Sequence, residues 1–324
     1  MTEIAGSDVT STRDSAEHPA PIEEPSLAEL EVESLELQLS EESESFGRQA
    51  WRAFRSNRLA IIGAVVLVVL ILLAIFGPSM RPYAFDERNV LARRQGPSAE
   101  HWFGTDNIGR DLFVRATRGA RTSLFISFLT AALAVSFGTL LGAMAGYFGR
   151  TVDVVVSFLT NLFLTIPLYA ILLVFGKKYG AEAVSISIVI SLFIWTRAAR
   201  IVRSQFLTLS QQEFVQAARA AGARGRRIIF RHILPHSIGP IAVEITLTAG
   251  LAIILESTLS FLSLGIVPPE TSLGVLVADA KGQFTAQPSA VLIPGAMITA
   301  IILSLNFMGD GLRDAFDPQA SSRN

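Results

Sequence analysis

The chain contains no cysteine. Disulfides and thiolate metal sites are therefore excluded, although redox compartment stays open. Lysine is nearly missing as well: among 27 basic residues only Lys177, Lys178 and Lys281 are lysines. No G-x4-G-K-[ST] loop can be drawn around them, so the chain has no phosphate cradle of that kind. Histidine occurs only at positions 18, 101, 232 and 236. These four supply no nucleophile–base pair and no metal-ligand spacing, which leaves a membrane enzyme without a catalytic constellation. No cofactor, metal or nucleic-acid site is expected.

Charge is the most informative scarcity. Only 17% of the 324 residues are charged, while 50% are hydrophobic. Four windows hold no charge at all: Leu59–Met80, Thr122–Gly149, Val154–Gly176 and Gly282–Gly309. Each exceeds the roughly 18–20 residues that cross a ~30 Å hydrocarbon core as a helix. A soluble helix of that length needs a polar face. Two weaker stretches, Ala183–Thr196 and Ser237–Leu262, complete a set of six expected spans, at about 59–79, 121–147, 152–176, 183–202, 237–262 and 289–309. Backbone polar groups in lipid must be satisfied within each segment, so the fold class is an all-α polytopic membrane protein. The first span is too long for a signal-peptide core and is followed by no A-x-A site, so it is expected to persist as an anchor.

The charges that exist are segregated. Residues 1–45 carry 13 of the 28 acidic residues and a single arginine. Rich in Glu, Ser and Pro, residues 1–46 read as an acidic, disordered tail, and 47–324 as the membrane domain. Arg48, Arg52, Arg55 and Arg58 precede the first span and place the N-terminus in the cytoplasm. Six spans then put both termini and the arginine-rich 203–235 loop inside. The segment Arg81–Arg121 falls outside in spite of its arginines and opposes this orientation.

That 203–235 loop is the feature with least structural need. Glu213–Ala221 is a run of helix formers containing Ala217, Ala218, Ala220 and Ala221. Gly222 is placed to end it in a left-handed conformation, a second short helix is expected over 223–232, and Pro235 opens the fifth span. Small side chains allow another surface to approach closely. Insertion into a lipid surface would favour bulky apolar residues instead.

The pattern Gln216-Ala-Ala-x3-Gly222-x11-Leu234-Pro235 resembles the EAA motif of bacterial ABC importer permeases. Four more segments resemble the C-type permease subunit of dipeptide/oligopeptide (and nickel) importers: Phe54–Gly63, His101–Asp111, Leu259–Gly265 with Pro268-Pro269, and Asn306–Pro318. Two departures stand out: Gln216 replaces the motif's Glu, and His232 its Ile. The resemblance implies the type I ABC importer transmembrane domain, in the bacterial plasma (inner) membrane. It also implies a homologous B-type permease partner, two ATPase subunits that bind the ATP and magnesium, and an external substrate-binding protein. Glu213, Gln216, Ala217, Ala218, Gly222, Leu234 and Pro235 become the ATPase-coupling residues. Peptides are the implied substrate, with nickel chelates or short saccharides as alternatives.

Other candidates come from the spans. Glu244 and Glu256 lie in the fifth span, where an acid must face protein or water. They read either as a translocation-path or proton site, as in an ion-coupled carrier, or as buried hydrogen-bonding groups. Gly138, Gly142 and Gly146 form small-x3-small spacings suited to close packing, with the partner permease among the possible surfaces. Arg197, Arg200 and Arg203 share a face from which their stems can reach the membrane interface. Pro167 is expected to kink the third span. His101, Asp106 and Asp111 lack a fourth ligand and read as a turn before a helix beginning near Ile108.

Overall fold

The computed structural model describes residues 46–179 and 182–316. The expected acidic tail, apart from Phe46, lies outside them, as do Asp317 and Pro318. The described residues are helical, with no strand among them. A short helix α1 (Phe46–Ser56) leads into α2 (Arg58–Phe76), which is apolar after Arg58. Asn57 separates them: its Oδ1 accepts the Ala60 N–H at 3.1 Å, and its Nδ2 donates to Asp314 at 3.0 Å. The cap therefore also ties the start of α2 to the far end of the chain.

The central element is α3 (Leu112–Phe148), with 37 residues. It starts at Leu112 and not near Ile108, because Asp106 and Asp111 divide the work. Asp106 Oδ1 accepts the N–H groups of Ile108 and Arg110, both at 2.9 Å, closing a turn in which Gly109 has φ +85°. Asp111 then accepts the Val114 N–H at 3.0 Å and caps the helix. The helix reaches beyond the uncharged window, and Arg115 within it is buried against Asp106 at 2.8 Å and Asp279 at 3.4 Å.

The third span is broken. Helix α4 (Arg150–Thr165) and α5 (Leu168–Tyr179) meet at Ile166-Pro167 with a bend of 76°. Proline removes a helical N–H and clashes with the preceding turn, and Ile166, just before it, is extended at φ −76°, ψ 126°. Then follow α6 (Ala183–Leu209), α7 (Glu213–Ala220), α8 (Gly225–Ile228), a π-helical turn Ile229–Ile233, α9 (Leu234–His236), α10 (Ile238–Phe261), α11 (Leu273–Ala280) and α12 (Ser289–Phe316). Among the described residues five helices are long and apolar enough to cross a membrane, and the bent α4–α5 pair makes a sixth if it counts as one span.

Two packed cores run along α3. One joins Leu67 and Leu70 of α2, Leu124, Ile253 of α10, and Ile301 and Leu305 of α12. The other joins Ile126 and Ala134 to Ile190, Ile194 and Trp195 of α6. Lipid tails are as apolar as these side chains, so close fit and not water exclusion holds the helices. The glycines show how close. A Cβ on Gly138 would lie 2.6 Å from the Trp195 carbonyl, and one on Gly142 2.4 Å from the Ala199 carbonyl. Gly146 faces Phe206 in the same way. Packing against a partner subunit is therefore corrected: these glycines are filled by α6 of the same chain.

Candidate functional site

The loop from Ser210 to Ser237 folds into a compact module. Glu213 occupies the first turn of α7 and Arg219 its last, both matched to the helix dipole. After Ala221 the helix closes with two reversed bonds: Gly222 N–H to Arg219 O at 3.0 Å, and Ala223 N–H to Ala218 O at 3.0 Å. This is a Schellman closure, and it needs the positive φ that Gly222 supplies at +78°. Further on, Leu234 N–H reaches Ile229 O, five residues back. Pro235 accounts for this widened turn, since its ring clashes with the carbonyl four residues before it.

The module is anchored from beneath. Val215, Ile228 and Ile233 are fully buried against Val202 and Phe206 of α6 and Ala143 of α3. Gly225 sits over Tyr147, whose ring also carries the Arg219 guanidinium at 5.5 Å. Left facing outward are Glu213, Gln216, Ala217, Ala220, Ala221 and Gly222. Ala218 does not join them: it is half-buried and packs into the anchoring cluster. Leu234 also turns into that cluster, while Pro235 is exposed. Gln216 donates from Nε2 to the Gln211 carbonyl at 3.0 Å. A carboxylate could not donate that bond, so Gln at this position stiffens the loop itself. Beside the alanine face stand Arg224, Arg226 and Arg227, all exposed, as is Phe230.

The two acidic residues of α10 differ. Glu256 is completely buried and accepts hydroxyls from Ser260 at 2.7 Å and Ser123 at 3.3 Å. Ser123 Oγ in turn accepts the Leu273 N–H at 3.1 Å. Glu256 therefore joins α3, α10 and the start of α11 through neutral donors. Glu244 is buried too, but it pairs with Arg197 of α6 at 3.3 Å and accepts from Thr248 at 3.2 Å. Arg200 donates to Asn161 at 2.9 Å, and Arg203 holds Asp153 through two bonds, one of 2.7 Å. Each of the three arginines is thus paired with a group on a neighbouring helix. Asp153 and Asn161 carried no pattern in the sequence that marked them, because their partners lie 50 and 39 residues away.

At the end of α3 away from the module, His101 Nδ1 meets Asp111 at 2.7 Å, both buried, with the Tyr83 ring tilted against the imidazole, 4.8 Å between centres. Asp106 is taken up by Arg110 at 2.6 Å and by Arg115. Burial pushes the Asp279 carboxyl above the usual carboxylate range; Arg110 opposes this and Asp106 adds to it. No group of three or more metal-ligating side chains occurs among the described residues.

Residues 138–322, which contain the module and its supports, match the family described as binding-protein-dependent transport system inner membrane component. The chain belongs to this family. Residues 45–97 of the permease match a second model, the N-terminal TM domain of oligopeptide transport permease C. The permease is similar to the dipeptide transport system permease protein DppC of Alkalihalophilus pseudofirmus, 41% identical over 85% of this chain and 90% of the relative. It is similar to the oligopeptide transport system permease protein OppC of Bacillus subtilis, 38% identical over 87% and 92%, and to OppC of Mycobacterium bovis, 34% identical over 84% and 94%. The all-α membrane bundle is thus the transmembrane domain of an ABC permease of type I, in a multi-pass membrane protein.

Proposed function

We propose that this permease is the C-type subunit of an ATP-driven importer of short peptides, and that the α7–Gly222–α8 module receives the movement of an ATPase. The observation that carries this reading is the module's two-sidedness. One side is fixed by Val215, Ile228 and Ile233 to the ends of α3 and α6. The other offers an exposed surface containing Ala217, Ala220, Ala221 and Gly222 beside exposed arginines. A force applied to that surface is delivered directly to two central helices. The names of the relatives support peptides as the cargo. ATP and magnesium belong, on this reading, to two partner ATPase subunits. A homologous B-type permease completes the pathway and an external binding protein supplies the substrate. The test is reconstitution with those partners: ATP-dependent uptake of a short peptide is expected, and uptake driven by a proton gradient without ATP would overturn it.

Orientation follows from the same reading. The module and both termini face the cytoplasm of a bacterial inner membrane, and residues 81–111 face outward. In this cysteine-free chain, Arg227→Cys should react only with reagent from the cytoplasmic side. Ser98→Cys and Ala286→Cys, both at exposed positions, should react only from outside. External protection of Ser98→Cys with labelling from within would reverse the orientation.

The acidic tail is proposed to be dispensable for assembly. It has too few aromatic and β-branched residues to build a core. A chain beginning at Phe46 should assemble with its partners and transport. Its carboxylates can still modulate the ATPase, and such an effect should vanish at high salt, where the Debye length falls to about 3 Å near 1 M. Failure of the truncated chain to assemble would refute dispensability.

A further inference from the structure

Arg115, Arg118 and Arg121 stand at i, i+3 and i+6 of α3 and so follow one face of the helix. The first two are committed. Arg115 is buried and shared between Asp106 and Asp279, at 2.8 and 3.4 Å. Arg118 pairs with Glu270 at 3.1 Å and lies 4.4 Å from the centre of the Phe85 ring. Arg121 is exposed and, among the described residues, has no hydrogen-bond or ion-pair partner. It borders a cavity of about 490 Å³ whose wall includes Arg118, Thr122, Phe125, Ile266 and Glu270. That volume lies in the range of small-molecule pockets, roughly 300–1,000 Å³.

We propose that this cavity is a binding site for the C-terminal end of a short peptide, with Arg121 receiving the carboxylate. The proposal rests on the peptide-importer reading above. A guanidinium offers two parallel N–H donors that match a carboxylate, and it stays charged at every physiological pH. Thr122, next in sequence, adds a hydroxyl. Phe125 and Ile266 give an apolar wall that accepts side chains without selecting among them. Glu270 supplies the opposite sign, half-exposed and, among the described residues, paired only with Arg118, so the cavity presents both charges of a zwitterion. Its place in the fold suits an entrance. Arg121 is the last charge before the window Thr122–Gly149. It lies 27 residues before the end of α3 at Phe148, about 40 Å along the axis from the module at the other end.

A phospholipid phosphate offers a similar anion, and the test separates the two. The complete transporter is placed in phosphatidylcholine proteoliposomes and fed its binding protein saturated with trialanine or with trialanine amide. Arg121→Gln should lower the initial uptake of trialanine about tenfold and leave the amide within about twofold of the parent, because only the free carboxylate uses the guanidinium. Arg121→Lys should recover part of the loss. Equal loss for both peptides, or no loss for either, overturns the proposal. A defect that appears only when phosphatidylglycerol is added, and equally for both peptides, assigns Arg121 to a lipid headgroup and also overturns it. If the unaltered transporter moves neither peptide, the peptide reading itself has failed and the site falls with it. Unchanged basal ATPase activity in the variants shows that the assembly is intact.

Discussion

Gly222→Pro is expected to abolish uptake while the chain still inserts and its partners still hydrolyse ATP. Gly222 has φ +78° and donates to Arg219 O. Proline fixes φ near −65° and has no N–H to donate, so the Schellman closure and the turn that orients α8 are both lost. The local cost is about 3 kcal/mol or more, equivalent to a population change of over 100-fold. The damage stays local: nothing lies within 4 Å of where a Cβ would stand at Gly222. Ala217→Trp tests the same claim without touching the backbone, because Ala217 faces outward and the indole would hold a docking surface away. Ala218 is the wrong choice for this purpose, since enlarging it would disrupt the module's own packing. Both variants should show ATPase activity no longer stimulated by loaded binding protein. Normal peptide uptake per ATP in either one would sink the coupling role.

The largest loss of stability is expected at Gly142. An added Cβ would stand 2.4 Å from the Ala199 carbonyl and 3.0 Å from the Arg203 amide. Backbone atoms on both sides leave no rotamer that relieves the overlap, so α3 and α6 must move apart. Overpacking of this kind costs about 1–3 kcal/mol for the first methyl group and more for a longer side chain. Separation of α3 from α6 also loosens the Phe206 and Ala143 anchors of the coupling module. Gly142→Ala should lower the melting temperature of the detergent-purified chain, and Gly142→Leu should leave little monodisperse protein. Gly295→Ala is the control, because open space surrounds that glycine and its φ is ordinary. An unshifted melting temperature for Gly142→Leu would mean that the α3–α6 contact is not what holds this face.

Membrane class, the order of the helices and the layout of the module were determined by the sequence alone, because the forces behind them are local. Uncharged windows longer than the bilayer core admit only helices. Pro167 breaks the third span through its own ring, and Gly222 ends α7 through its own φ. What lay beyond local reading was which groups meet. The tertiary structure decided that Glu244 is held by Arg197 and Glu256 by serine hydroxyls, although both are single acids in one apolar helix. It decided that Gly138 and Gly142 are filled by α6 of the same chain, that Ala218 turns inward while Ala217 turns outward, and that α3 begins at Leu112 and not near Ile108. It also left Arg121 as the one arginine of its ladder without an acid among the described residues. A glycine spacing or a lone carboxylate states that something must come close. The identity of the neighbour depends on how helices far apart in sequence fit together, and that fit is a property of the packed bundle.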